Sequence, residues 1–241
     1  MKNLLNFFII ILLFAASCEE SWNYKDQDKW SKAYPQCAGK YQSPVDIQGA
    51  VTDSNLSPLF IDYYASDSIH IKNTGTTVKL SHLSGSVITP DTSYYGHQYY
   101  LANIHFHTPS EHTVGGKHFP VEIHFVNIDT SYNLMVLAVF IKEGQKNPAL
   151  EQILASLPRK HKETILKSNF DPTQLLPNNA SYWHYTGSLT TPPCTENVQW
   201  FVMKQPVEAS KEQIEKLHQV LGDNNRSVKP LNGRIIKEFG F

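Results

Sequence analysis

The chain carries no basic run, no long apolar span and few cysteines. Its 21 Lys and Arg nearly balance 22 Asp and Glu, for a formal net charge of −1. The lack of a positive stretch argues against nucleic acid as a partner. The unbroken apolar run Phe7–Ala16 is too short to cross a bilayer. Three cysteines leave few thiolates for a soft metal ion. No internal repeat and no low-complexity segment appears, and the His-Glu-x-x-His helix of a zinc peptidase is absent. What remains is one domain of about 220 residues after processing, long enough to bury ample core.

Histidine is present, and in strand register. Tyr99–Thr108 and Phe119–Val126 alternate and are rich in aromatic and β-branched residues, so both read as strands. Residues two apart on a strand share a face, so His105 and His107 point the same way. Between the arms, Val114-Gly115-Gly116-Lys117 is a hairpin turn signal. If the hairpin pivots on the two glycines, residues whose numbers add to 231 oppose each other. His107 then faces His124, with Cβ atoms about 5 Å apart. Ile104, Phe106, Ile123 and Phe125 take the other face and belong in a core.

Three histidines without a fourth protein ligand is the arrangement of a catalytic zinc, with one position left for water. Glu122 lies two before His124, and Asn103 two before His105, both on the metal face. An amide or carboxylate there can accept the spare ring N–H and fix the tautomer.

Four separated stretches carry a resemblance. They are His-Phe-His-Thr-Pro-Ser-Glu-His-Thr (105–113), Glu-Ile-His-Phe-Val (122–126), Gln-Ser-Pro-Val-Asp-Ile (42–47) and Gly-Ser-Leu-Thr-Thr-Pro-Pro-Cys-Thr-Glu (187–196). In this order they resemble the α-class carbonic anhydrases, from about Trp22 to the C-terminus. The resemblance implies reversible hydration of carbon dioxide to bicarbonate and a proton, by zinc hydroxide attack. Zn²⁺ brings bound water from pKa ~15.7 to ~7, a value known for carbonic anhydrase rather than worked out from these residues.

The resemblance also assigns roles. Thr190 accepts from the zinc-bound oxygen and donates its single proton to an ionised Glu111. His112 supports the ligands from behind, with Asn103 and Glu122. Val126, Val136, Leu189 and Trp200 form the apolar wall for carbon dioxide, and Thr191 contacts bicarbonate. Tyr24 matches a tyrosine of the active-site water network, and the Ser43–Pro44 bond matches a cis peptide. There are departures. Asn103 replaces a frequent Gln, and Lys79 stands where a polar amide is frequent. Thr76 occupies the place of the proton-shuttle histidine, with His82 and His97 in the same region. A shuttle-poor enzyme is therefore expected.

Residues 1–17 read as a signal peptide, with Lys2 before the apolar run. Phe14-Ala-Ala-Ser-Cys18 resembles a bacterial lipoprotein processing site, with Ala15 where Leu is preferred. Family members that are exported pair cysteines near Cys37 and Cys194, so the resemblance implies that disulfide, consistent with an oxidising compartment. Cys18 is then odd, and lipidation accounts for it. Residues 18–241 form the catalytic domain. The expected location is periplasmic or membrane-anchored in a bacterium, and secreted otherwise. Expected partners are carbon dioxide and bicarbonate, with membrane contact only through the lipid; the protein is a monomer or dimer.

The scaffold reads as mixed α/β, mainly β: a single domain around a large, mostly antiparallel central sheet with peripheral helices. Short strands are expected at 56–64, 68–73, 77–81 and 86–89. Leu134–Ile141 is a continuous apolar run, the mark of a strand buried on both faces. Asn147-Pro148 starts one helix. Ser210 with Gln213 forms a capping box for another that ends at Gly222. One competing reading is a catalytically silent, carbonic anhydrase-like binding domain. Such members lose metal histidines, and this chain keeps all three with Glu111 and Thr190.

Overall fold

The computed structural model describes residues 22–89 and 97–240. The strands, in chain order, are β1 (Asp46–Ile47), β2 (Val51–Thr52), β3 (Phe60–Tyr64), β4 (Ile69–Asn73), β5 (Val78–Ser81), β6 (Ser84–Thr89), β7 (His97–His107) and β8 (Thr113–Val114). There follow β9 (Lys117–His118), β10 (Val121–Ile128), β11 (Leu134–Glu143), β12 (Glu163–Leu166), β13 (Tyr182–Ser188), β14 (Glu196–Met203), β15 (Val207–Ala209) and β16 (Lys237–Phe239). The helices are α1 (Trp30–Ala33), α2 (Pro148–Ala155) and α3 (Lys211–Leu221).

Thirteen strands make one sheet, ordered β12-β4-β5-β7-β10-β11-β14-β13-β16-β2 along its main path. Most pairs are antiparallel; β11 with β14 and with β15, and β16 with β2, are parallel. The apolar run 134–141 becomes β11 at the centre of the sheet. Its odd residues, Met135 to Ile141, join one core with Ile104, Phe106, Ile123 and Phe125. Its even residues, Val136, Ala138 and Phe140, join a second core with Val126 and Trp200. A strand that meets apolar neighbours on both faces needs no alternation.

Helices α2 and α3 cover the first core. Asn147 caps α2 by accepting from the Leu150 N–H, and the full capping box of Ser210 and Gln213 opens α3. Leu150, Ile153, Leu154 and Leu217 bury against the sheet. This leaves the opposite face free for a site. Among the described residues, no helix is long and apolar enough to cross a membrane.

The expected hairpin register is corrected by two residues. Numbers adding to 231 hold only in the small β8–β9 ladder, where Thr113 faces His118 and Val114 faces Lys117. In the long β7–β10 ladder His105 faces His124, and His107 faces Glu122. Thr113 lies six positions after His107, but Glu122 lies only four after His118. The segment 108–112 leaves the ladder between the two pairings, so the arms are unequal. A slip of two preserves the period of the pleat, so every side chain keeps its face. Ile104, Phe106, Ile123 and Phe125 are all fully buried on the far side.

Candidate metal centre

His105, His107 and His124 each offer a ring nitrogen, and the three nitrogens lie within 4.8 Å of one another. In each ring the other nitrogen already has a partner. His105 Nδ1 meets Asn103 Oδ1 at 3.0 Å, His107 Nδ1 meets the Asn224 carbonyl oxygen at 2.8 Å, and His124 Nε2 meets Glu122 Oε1 at 2.7 Å. The acceptors hold the proton on that nitrogen and leave a lone pair on the one facing inward. His107 Nε2 is buried and has no hydrogen-bond partner among the described residues. An orphaned imidazole nitrogen beside two others of the same kind fits a metal ion.

Burial is the main cause that holds the His105 imidazole well below its ordinary pKa, with the His124, His107 and Lys79 charges adding to it. Burial likewise lowers His107, against the opposing charge of Glu111. Neutral imidazole is the form that ligates a metal.

Glu122 organises the next layer. Its Oε1 accepts from His124 and from His112 Nδ1, both at 2.7 Å. Its Oε2 accepts the backbone N–H groups of Glu111 and His112, both at 2.8 Å. Burial opposes its ionisation, but the two histidines and these hydrogen bonds prevail and hold it well below the usual carboxylate range. His112, Glu122 and His124 also lie close enough to one another to bind an ion. Here they are already joined at hydrogen-bond distance, so that set is an orienting triad. The chain of contacts continues from His112 Nε2 to the Tyr185 hydroxyl at 2.6 Å, and from there to Ser43 Oγ at 2.8 Å.

A family model for eukaryotic-type carbonic anhydrase matches residues 25–239. The chain belongs to that family. Carbonic anhydrases of Nostoc and of Neisseria gonorrhoeae are 37% and 36% identical to it; each alignment covers 90% of this chain, and 86% and 87% of those proteins. The solved α-carbonic anhydrase of Thermovibrio ammonificans, in complex with the inhibitor sulfanilamide, is 44% identical, with a TM-score of 0.81 over 88% of this chain and 94% of that one. The Photobacterium profundum α-carbonic anhydrase is 38% identical, with a TM-score of 0.84 over 90% of this chain and all of that one. α-Carbonic anhydrases are metalloenzymes, and reversible hydration of carbon dioxide is the reaction of this chain.

Glu111 is fully buried beside the three imidazoles of this carbonic anhydrase. Its Oε1 accepts the Arg226 backbone N–H at 2.8 Å. Its Oε2 has no hydrogen-bond partner among the described residues and lies 3.5 Å from His107 Nε2 and 3.9 Å from His124 Nδ1. The donation from Thr190 to Glu111 is therefore not made in this structure, where Oε2 faces the imidazoles instead. Thr190 itself is buried between β13 and β14, and Thr191 beside it is partly exposed. Val126, Val136 and Trp200 stand opposite one another across β10, β11 and β14 in one row on the metal face. Leu189 packs on the same cluster, and the Trp200 ring lies 4.9 Å edge-on from His124.

Two residues of this site carried no signal in the sequence. Asn224 supplies the carbonyl for His107, accepts the Thr108 N–H and donates to the carbonyls of Thr76 and Phe106. Arg226 donates its guanidinium to Gln42 Oε1, the Ser43 carbonyl and the Cys37 carbonyl. Burial lowers that guanidinium to about 10, with Glu111 opposing, so it stays charged at neutral pH.

Cys37 and Cys194 form a disulfide across a separation of 157 residues. A structural disulfide belongs to an extracellular or periplasmic protein. Ser43–Pro44 is cis. Tyr24 packs edge-on against Trp22 and Trp30; burial, with the Glu111 charge, pushes its phenol well above the ordinary value. Thr76 is partly buried, with its hydroxyl 3.0 Å from that of Thr74. His82 stacks on His70, and His97 lies edge-on to Tyr99. Cys18 and the expected signal peptide lie outside the described residues.

Proposed function

We propose that this carbonic anhydrase works with zinc, held by His105, His107 and His124. The observation that carries it is the committed second nitrogen on each of the three rings, which leaves three lone pairs converging. Nitrogen donors in a closed-in, three-histidine set suit Zn²⁺. When bound, the ion supplies a water acidified to near neutrality, the established carbonic anhydrase case rather than a value from this geometry.

The chain's own residues do the rest. Asn103, Glu122 and the Asn224 carbonyl hold the rings in register, and His112 supports Glu122. Val126, Val136, Leu189 and Trp200 offer an apolar wall to a substrate that carries no charge. Thr190 and Glu111 orient the attacking oxygen, and Thr191 meets bicarbonate through its hydroxyl. With Thr76 at the shuttle position, proton export relies on buffer. Residues 1–17 direct export, and 18–241 form the mature domain, a monomer or dimer. Cys18 carries a lipid in a bacterial host.

Metal analysis of His107→Ala, paired with stopped-flow hydration kinetics, tests the centre. Zinc content and activity should be lost together. Full zinc occupancy in that variant would sink the assignment.

A further inference from the structure

The face that bears the imidazoles continues beyond β7. Lys79 on β5 stands directly opposite His105, and Lys72 on β4 stands directly opposite Lys79. Directly opposed residues share a face. Both lysines are exposed, while Val78, Leu80 and Ile71 beside them turn to the far side and are fully buried.

Among the described residues, no carboxylate comes within ion-pair distance of either ammonium. The acids nearby are already engaged. Glu111 and Glu122 are buried in the contacts given above. Glu163, opposite Lys72 on β12, bonds His70 Nδ1. Like charges directly opposed in a sheet repel and destabilise it. Two such charges next to a metal ligand, neither in an ion pair among the described residues and with Glu163 only on the outer side of Lys72, form a built-in positive step at the edge of the site.

We propose that Lys79 and Lys72 form a docking site for a small oxyanion of the bicarbonate or carboxylate class, one strand out from the metal centre. Opposed residues have Cβ atoms about 5 Å apart, and each lysine stem ends in three rotatable donors, so both can reach oxygens of one anion. Such an anion also relieves the repulsion between them. Carbon dioxide, being neutral, gains nothing from this strip. Its hydration product does, so the site sits on the product side of the reaction proposed above and rests on that reading.

The test uses the metal-free mature chain, so that no metal competes for the anion. Lysine side-chain NMR signals are followed on titration with sodium bicarbonate, sodium acetate or sodium chloride at matched ionic strength. Bicarbonate should shift the Lys79 and Lys72 signals saturably, and chloride should not. Lys79→Gln and Lys72→Gln should each weaken bicarbonate about fivefold, as expected for a solvent-exposed charge contact, and the double variant more. The double variant should also melt higher than wild type without anion. Acetate acting alongside bicarbonate supports the general oxyanion class. Equal effects of bicarbonate and chloride, acetate acting without bicarbonate, or undiminished binding by the double variant overturns the proposal. Hydration by the zinc-loaded wild type is measured separately, so failure of this site and failure of the zinc reading are distinguished.

Discussion

Replacing Glu122 by Gln tests how the metal ligands are held. The carboxylate accepts four hydrogen bonds, two at 2.7 Å from imidazoles and two at 2.8 Å from backbone N–H groups. Gln keeps one acceptor oxygen and puts an NH₂ where the other was. If the NH₂ faces the backbone, two buried N–H donors lose their acceptor. At about 1–3 kcal/mol each, that costs about 2–6 kcal/mol of stability. At about 2–4 °C per kcal/mol for a chain this size, the melting temperature falls by about 4–24 °C.

If the NH₂ faces the imidazoles, His124 must accept at Nε2, which moves its proton to Nδ1. That nitrogen then has no lone pair for the metal. Loss of such an orienting partner costs about 10–100-fold in metal affinity, a range drawn in part from carbonic anhydrases rather than from this geometry. The sign with pH follows from the lowered Glu122 pKa. Its ionised form contributes full stability above the unfolded carboxylate pKa of about 4.3, and the contribution is lost as pH falls through the lower folded value. The variant should therefore show a flatter acid limb as pH falls below about 5. Chelator competition for zinc and melting curves across that range are the assays. Unchanged affinity together with an unchanged melting temperature would refute the orienting role of Glu122.

Three further outcomes are expected. Cys37→Ser with Cys194→Ser removes a closure of 157 residues, for which chain entropy gives up to about 5 kcal/mol, so melting should fall by up to about 10–20 °C; a fall under about 2 °C contradicts it. Thr76→His should raise turnover in weak buffer and leave it unchanged in concentrated buffer, because imidazole exchanges protons near neutrality; wild-type turnover that is already independent of buffer would show that another group carries the proton. In a bacterial host, Cys18→Ser should move the exported protein from the membrane to the soluble fraction, and equal fractionation of both forms rules out lipidation.

Much of the site was legible in the sequence because strand period is local. His105 and His107 share a face whatever the fold does with them, and the same parity put Asn103 and Glu122 beside the ligands. The apolar run at 134–141 and the caps at Asn147 and Ser210 are equally local, and each formed as its residues dictate. Register is different, since it depends on the path between strands. Gly115-Gly116 pivots only the β8–β9 hairpin, and the longer segment 108–112 shifts β7 against β10 by two. The third ring acceptor was invisible, because any residue has a carbonyl and Asn224 lies 117 positions from His107. Arg226, 115 positions from Glu111, binds it through a backbone N–H that carries no side-chain signature. Lys79 and Lys72 read singly as surface charges. Only the antiparallel pairing of β4 with β5 and of β5 with β7 set them in line with His105, because cross-strand neighbours are chosen by the sheet and not by the chain.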